Sequence, residues 1–292
     1  IAIKNCYFNN CSCAVGFYLS HDVWLSDNTV KNSFQFSLNR PTFAGVYGYG
    51  FSLNTCWNIC INDNILGTSD APIERHSIYV SKLITDNYYD YYNSNIVITN
   101  NIINQIQYNE NILPLTGAEF CIKIISGMSV LINNNIINNG RGSILLSTLY
   151  QGCGSITIKN NLCVTYSYFI RCENESNNIY ECVDISSNNV VLTGTYPSYI
   201  TYSNIDVLRS VNNFINNKQT TLFYAFYEGE HNTSNYTANT LTYSYNDYFM
   251  NFVGIIRFHN IKKILYNSFT NLNNIVQNII DGGDTTNVDI TI

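Results

Sequence analysis

Apolar and polar residues alternate along this chain, and the alternation breaks repeatedly at the same kind of place. The segments VWLSDNTV (23–30), ICINDNIL (59–66), IVITNNII (96–103), VLINNNII (130–137) and ITIKNNLC (156–163) share one frame. An apolar residue is followed by two polar positions, an Asn, one variable residue and a second apolar residue. Weaker copies are IAIKNCYF, VDISSNNV, RSVNNFI, TYSYNDYF and KILYNSF. The shared position falls on Cys6, Asn28, Asn64, Asn101, Asn135, Asn161, Asn188, Asn213, Asn246 and Asn267, at intervals of 22, 36, 37, 34, 26, 27, 25, 33 and 21 residues.

These intervals select the fold. Helical repeats of similar length need a 3.6-residue hydrophobic period, and a leucine-rich repeat needs its own Leu frame; neither is present. Short strands joined by sharp turns, with equivalent residues stacked at the strand spacing of about 4.8 Å, form a parallel β-helix. The expectation is an all-β chain: a single-stranded right-handed parallel β-helix of about ten coils, roughly 48 Å long. It would be one domain over 1–292, cut from a longer chain. Asn at the anchor is expected to serve twice, stacking amide on amide up the ladder and taking the left-handed corner conformation.

A second strand precedes each anchor: GFYLS, YGFSL, HSIYVS, FCIKIIS, GSILLS, YFIRCE, LFYAFY and GIIRFH. Alternation places Ile78, Ile122, Ile144 and Ile170 inside and Tyr79, Lys123, Leu145 and Arg171 outside. Tyr18, Tyr224 and Arg257 are expected to extend that outer column.

Composition agrees with a strand protein. There are 47 Asn and 38 Ile against 7 Ala and 2 Met, which disfavours helices. Hydrophobic residues reach 46 % and charged ones only 12 %, so the chain is not a disordered, core-poor segment. A net charge of −6 with no dense basic stripe argues against nucleic acid as a partner. No apolar run is long enough to span a bilayer. The ten Cys contain no CxxC pair, which gives a zinc site no support. Cys60, Cys121, Cys163 and Cys182 are expected to pack as free thiols. No metal or other cofactor is implied.

Serial copies of VxIxNNxI, with HSIYVS and CIKIIS between them, resemble the right-handed β-helices of the pectate-lyase-like superfamily. In style the chain is closest to phage tail spikes and related polysaccharide-binding or polysaccharide-cleaving proteins, and the resemblance runs from Ile1 to Ile292. It implies an extracellular or virion-surface protein, a homotrimer, that recognises a cell-surface polysaccharide and, as a glycoside hydrolase or polysaccharide lyase, would depolymerise it. The alternative is a non-catalytic adhesin or spacer, because this superfamily also hosts inert stalks. The NTD, GHG and RIK signatures of polygalacturonase-type hydrolases are absent.

Candidate chemistry sits where intervals exceed a bare coil. The extra residues (34–50, 67–76, 85–95 and 105–119) are expected to emerge as loops along one edge and wall a groove. They carry Arg40, Asp70, Glu74, Arg75, His76, Asp86, Asp90, Glu110 and Glu119. If strands SIYVS and FCIKIIS stack, Glu74 and Glu119 approach one edge as a carboxylate pair for acid and nucleophile or base roles. His76 or Lys123 is the candidate proton acceptor of a lyase, with Arg171 neutralising a uronate. Arg75, Tyr79, Asp86, Tyr88, Tyr89, Lys123 and Arg171 are the expected saccharide contacts, the Tyr-rich run NYYDYYN offering rings for sugars to stack on.

Overall fold

The computed structural model describes residues 1–33, 48–73, 75–82, 93–105, 120–147, 149, 153–172, 178–194, 199–200 and 205–217 with their side chains. It describes the backbone alone at 173, 198, 201–202, 223–228, 240–244, 247–250, 255–259, 268–270 and 275–279. Among these residues every regular element is a strand. The strands form three parallel sheets of nine, ten and ten strands, in which each strand pairs with the strand of the next coil. Sheet A runs from Ala2–Lys4 to Thr240–Ser244, sheet B from Tyr7–Asn9 to Ser268–Thr270, and sheet C from Cys13–Tyr18 to Ile275–Ile279. The chain visits A, B and C in turn, so each described coil but the last has three strands and the molecule is a parallel β-helix. Among the described residues no helix is long and apolar enough to cross a membrane.

The alternation read from the sequence fills the interior with stacked columns. Val23, Ile59, Ile96, Val130, Ile156, Val183 and Leu208 lie in register on sheet A. Val30, Leu66, Ile103, Ile137, Cys163, Val190 and Ile215 do so on sheet B. On sheet C the column is Val15, Phe51, Ile78, Ile122, Ile144, Ile170 and Ile200. All are buried. Each β-branched side chain suits a pleated surface, and burying each contributes about 1.5–3 kcal/mol relative to exposure.

Between sheets A and B the anchor positions stack as expected from Cys6 to Asn213. The Asn64 Oδ1 accepts from both the backbone N and the Nδ2 of Asn28, and the same pair of bonds recurs upward through Asn101, Asn135, Asn161, Asn188 and Asn213. Each ladder amide also donates to a backbone carbonyl of the preceding coil, as Asn101 does to Ile61. At the first coil Cys6 supplies only its backbone N–H, to Asn28 Oδ1. Asn246 and Asn267 lie outside the described residues.

One expectation changes. The left-handed corner is made not by the anchor Asn but by the residue before it: Asn5, Asp27, Asp63, Asn100, Asn134, Asn160, Ser187 and Asn212 all have φ near +56°. The physical reason is that the anchor side chain must face inward to reach both ladder partners, which leaves the exposed residue before it to turn the chain. The turn is therefore taken one residue earlier, where the side chain is exposed. Two adjacent polar residues divide the two roles.

All ten cysteines are free. Cys121 and Cys163 are buried, whereas Cys60 and Cys182 are half-buried on the outer face of sheet A, where they pair with Val97 and with Ser155. Of the expected loops along one edge, residues 34–47, 74, 85–92 and 106–119 lie outside the described residues. Residues 48–50 and 93–95 belong largely to the flanking strands.

Candidate functional site

Sheet C differs from the other two in what it carries outside. Its outer register column runs Gly16, Ser52, Tyr79, Lys123, Leu145 and Arg171. Tyr79, Lys123 and Arg171 are half-buried, and Leu145, though outward by alternation, is buried. The corresponding column of sheet B, Ile65, Ile102, Ile136 and Leu162, is left exposed. Tyr18 is not in the Tyr79 column: it pairs with Asn54, two residues further along the strand, because the register is fixed by Gly16 opposite Ser52. Tyr224 and Arg257 pair with one another in the column of Tyr168 and Ser198.

Where the chain enters sheet C, rings and cations gather. Tyr49 and Tyr79 stack at 5.1 Å and 11° between planes. His76 joins them, 5.4 Å from Tyr79 and 5.9 Å from Tyr49. The Arg75 guanidinium lies 5.1 Å from the Tyr49 ring centre. Further along, Phe120 and Tyr168 stack at 6.0 Å across Gly142, which has no side chain to part them. The guanidiniums of Arg141 and Arg171 lie 5.7 and 5.5 Å from the same Tyr168 ring. Cations over ring faces are held by the ring quadrupole, which orders long, flexible side chains in advance of any ligand.

The first half of this row is bolted together by buried polar groups. The His76 Nδ1 lies 2.7 Å from the Phe120 carbonyl oxygen, so that nitrogen carries the proton and donates. Gln105, also buried, donates its Nε2 to the carbonyls of Arg75 and Phe120. Burial holds the His76 imidazole well down, at about 3, opposed in part by the Phe120 bond and helped by the nearby Lys123 and Arg75 charges. It is neutral throughout the physiological range and 4 % exposed. Its geometry is that of a spacer fixing the Tyr49–Tyr79 stack.

Of the expected site residues, Arg75, His76, Tyr79, Lys123 and Arg171 lie on or beside sheet C in three consecutive or alternate coils. Glu74, Asp86, Tyr88, Tyr89 and Glu119 lie outside the described residues. Their sequence neighbours His76 and Phe120 touch across adjacent coils. Tyr49, Gln105, Arg141 and Tyr168 were missed in the sequence. Arg141 had a visible signal, since GRGSILLS repeats the cation-before-strand order of ERHSIYVS. The acids with described side chains lie elsewhere: Asp22, Glu181, Asp184 and Asp206 on sheet A, Asp27 and Asp63 at the A–B corner, and Asp70 in the turn after sheet B. Among the described residues no group of His, Cys, Asp and Glu could hold a metal ion. Compared with protein-family models, with curated proteins and with solved structures, the chain matches none.

Proposed function

We propose that this protein recognises a cell-surface polysaccharide along the outer face of sheet C, in the manner of a tail spike exposed outside the cell or on a virion. The observation that carries the reading is the row of half-buried Tyr79, Lys123, Arg141, Tyr168 and Arg171 side chains. Rings offer faces to the C–H side of a sugar, and the cations offer charge-assisted bonds to carboxylate or sulfate groups. Lys123 and Arg171 stand two coils apart in one column, about 9.6 Å at the strand spacing, a separation suited to the repeat of an extended disaccharide. An acidic polysaccharide is therefore the favoured ligand. Affinity electrophoresis in gels containing acidic or neutral polysaccharides tests this: retardation by an acidic polymer, lost in Lys123→Ala and Arg171→Ala, is expected. Retardation unchanged in both variants refutes the assignment.

Depolymerisation is the enzymatic extension of the same reading, with Glu74 and Glu119 as the carboxylate pair of a hydrolase. Shortened polymer that persists in Glu74→Gln and Glu119→Gln rules that pair out; unsaturated, near-ultraviolet-absorbing ends would mark a lyase instead. A binding adhesin or spacer is the outcome if no polymer is shortened. Homotrimer formation has its own support in sheet B, where Ile65, Ile102, Ile136 and Leu162 stand in one outer column with about 40 % of each exposed. Sedimentation analysis of wild type and Ile102→Asp/Ile136→Asp distinguishes a trimer dissolved by the charges from a monomer.

A further inference from the structure

Both tryptophans of the chain stand on the outside of sheet A, in two consecutive coils. Trp24 is 49 % exposed and Trp57 half-buried. Indoles are the largest apolar side chains available, and packing alone would draw them into the interior, where Ile, Val and Leu stand instead. Trp24 is Cα partner to Cys60 and Trp57 to His21, so the two indoles stand three residues apart along the strand and one coil apart across it. At strand dimensions this is roughly 11 Å.

The ground between them is polar and fixed. Asp22 has left-handed backbone at φ 53°, repeated in the following coils by Asn58, Asn95 and Ser129. One Asp22 oxygen lies 2.7 Å from His21 Nδ1, and the other accepts from Asn58 Nδ2 at 3.0 Å. Asn95 in turn donates to Asn58 Oδ1 at 3.0 Å. The His21 ring lies parallel to the Trp57 indole, at 5.2 Å and 16°. Lys4 Nζ sits 5.4 Å from the Trp24 ring. Hydrogen bonds from His21, and then from Asn58, hold the Asp22 carboxyl below its ordinary range, so it is an ionised acceptor. Each of its oxygens retains lone-pair capacity toward solvent, the side chain being 66 % exposed.

We propose that this face of sheet A is a second saccharide site, distinct from sheet C, that takes a neutral pyranose chain across Trp24 and Asp22. A pyranose presents an apolar C–H face to an indole and hydroxyl donors at its rim, the two chemistries placed here side by side. The Asp22 carboxylate accepts from the hydroxyl donors of a neutral sugar, its charge balanced by the Lys4 ammonium beside the Trp24 ring, whereas the cations of sheet C favour uronates and sulfates. The two faces of one solenoid thus read different sugars, independently of whether the sheet C reading holds.

Because only two indoles are present, tryptophan fluorescence reports on this face directly. The full chain is titrated with neutral tetrasaccharides of glucose, mannose, galactose, xylose and N-acetylglucosamine, with calorimetry as the parallel measurement. A saturable change with at least one of them at millimolar Kd or better is expected. It should weaken at least tenfold in Trp24→Ala and in Asp22→Ala and persist in Arg171→Ala. Trp24 is exposed, so Trp24→Ala should keep the wild-type denaturation midpoint, which separates loss of the site from loss of the fold. Asp22→Ala removes a left-handed residue bonded to His21 and Asn58, so its binding is measured well below its own lowered midpoint. No saturable response to any of the five sugars, or a response equal in wild type and both variants, overturns the proposal.

Discussion

Replacing Asn101 by Ala should destabilise the β-helix far more than replacing its neighbour Asn100 by Gly. Asn101 Oδ1 accepts from Asn64 N at 3.0 Å and Asn64 Nδ2 at 2.9 Å, while its Nδ2 donates to Ile61 O, Thr99 O and Asn135 Oδ1. Some of these partners keep an alternative. Asn64 Nδ2 still reaches Leu25 O and Asn62 O, Thr99 O still accepts from Asp63 N, and Asn135 Oδ1 still accepts from Asn101 N. Asn64 N loses the side-chain acceptor that satisfied it in a buried position. One orphaned buried donor costs about 1–3 kcal/mol, and the remaining lost bonds about 1 kcal/mol each in net terms. The total lies between about 2 kcal/mol, if partners with an alternative lose nothing or water enters the vacated amide site, and about 7 kcal/mol, if all four remaining bonds count in full. Asn100 is exposed, with φ 57°, and bonds sideways to Asn62 and Asn134. Glycine there relieves a left-handed strain of about 1–2 kcal/mol in exchange for two exposed bonds, so the net change should stay within about 1 kcal/mol. Denaturant unfolding gives both values, and native-state hydrogen exchange localises them, since a solenoid can open repeat by repeat. Equal losses in the two variants, or a larger loss in Asn100→Gly, would refute the division of roles between buried anchor and exposed corner.

Three other outcomes are expected. His76 has a folded pKa depressed to about 3 from 6.5, so its contribution is complete above pH 6.5 and is lost as pH falls. At about pH 5 the unfolded chain is favoured by about 2 kcal/mol through this group alone. The stability difference between wild type and His76→Phe should therefore shrink by that amount between about pH 7.5 and 5; a constant difference contradicts a buried neutral imidazole. Gly142→Ala would put a Cβ 2.1 Å from the Phe120 ring. It should cost about 1–3 kcal/mol and alter the near-ultraviolet circular dichroism of the Phe120–Tyr168 stack, and an unperturbed spectrum would argue against that contact. Burial raises the Cys121 thiol to about 12 and pushes Cys163 higher still. Under native conditions neither should react with a thiol reagent that modifies half-buried Cys6 or Cys11, and mass spectrometry of labelled peptides checks the order.

The scaffold was legible because a parallel β-helix repeats its physics every coil. Ile96, Val130 and Ile156 stack because each alternates in step with an Asn that stacks too, so period and register appear together in one chain. What the sequence hid was whatever depends on a residue's angle rather than its order. Nothing in NN at 100–101 says which Asn turns the corner and which bonds inward, and here the first does the former and the second the latter. Likewise, Cys60 reads as a packed core thiol, but Ile59 and Ile61 on either side of it take the interior and leave Cys60 on the outer face. The candidate site was partly visible through the outward Tyr79, Lys123 and Arg171. Tyr49 and Tyr168, however, join it by stacking with residues 30 and 48 positions away, which no local pattern encodes. Gln105 belongs to it only because coils three and four put the Arg75 and Phe120 carbonyls within its reach.

The claim that sheet C reads an acidic polysaccharide is tested most directly by calorimetric titration of wild type and of Lys123→Ala/Arg171→Ala with the acidic polymer that retards the protein in gels. Two charge-assisted contacts at about 1.5–3 kcal/mol each correspond to an affinity loss of roughly 10²- to 10⁴-fold, with weaker salt dependence in the variant. Affinity and salt dependence that stay the same in the double variant would contradict it.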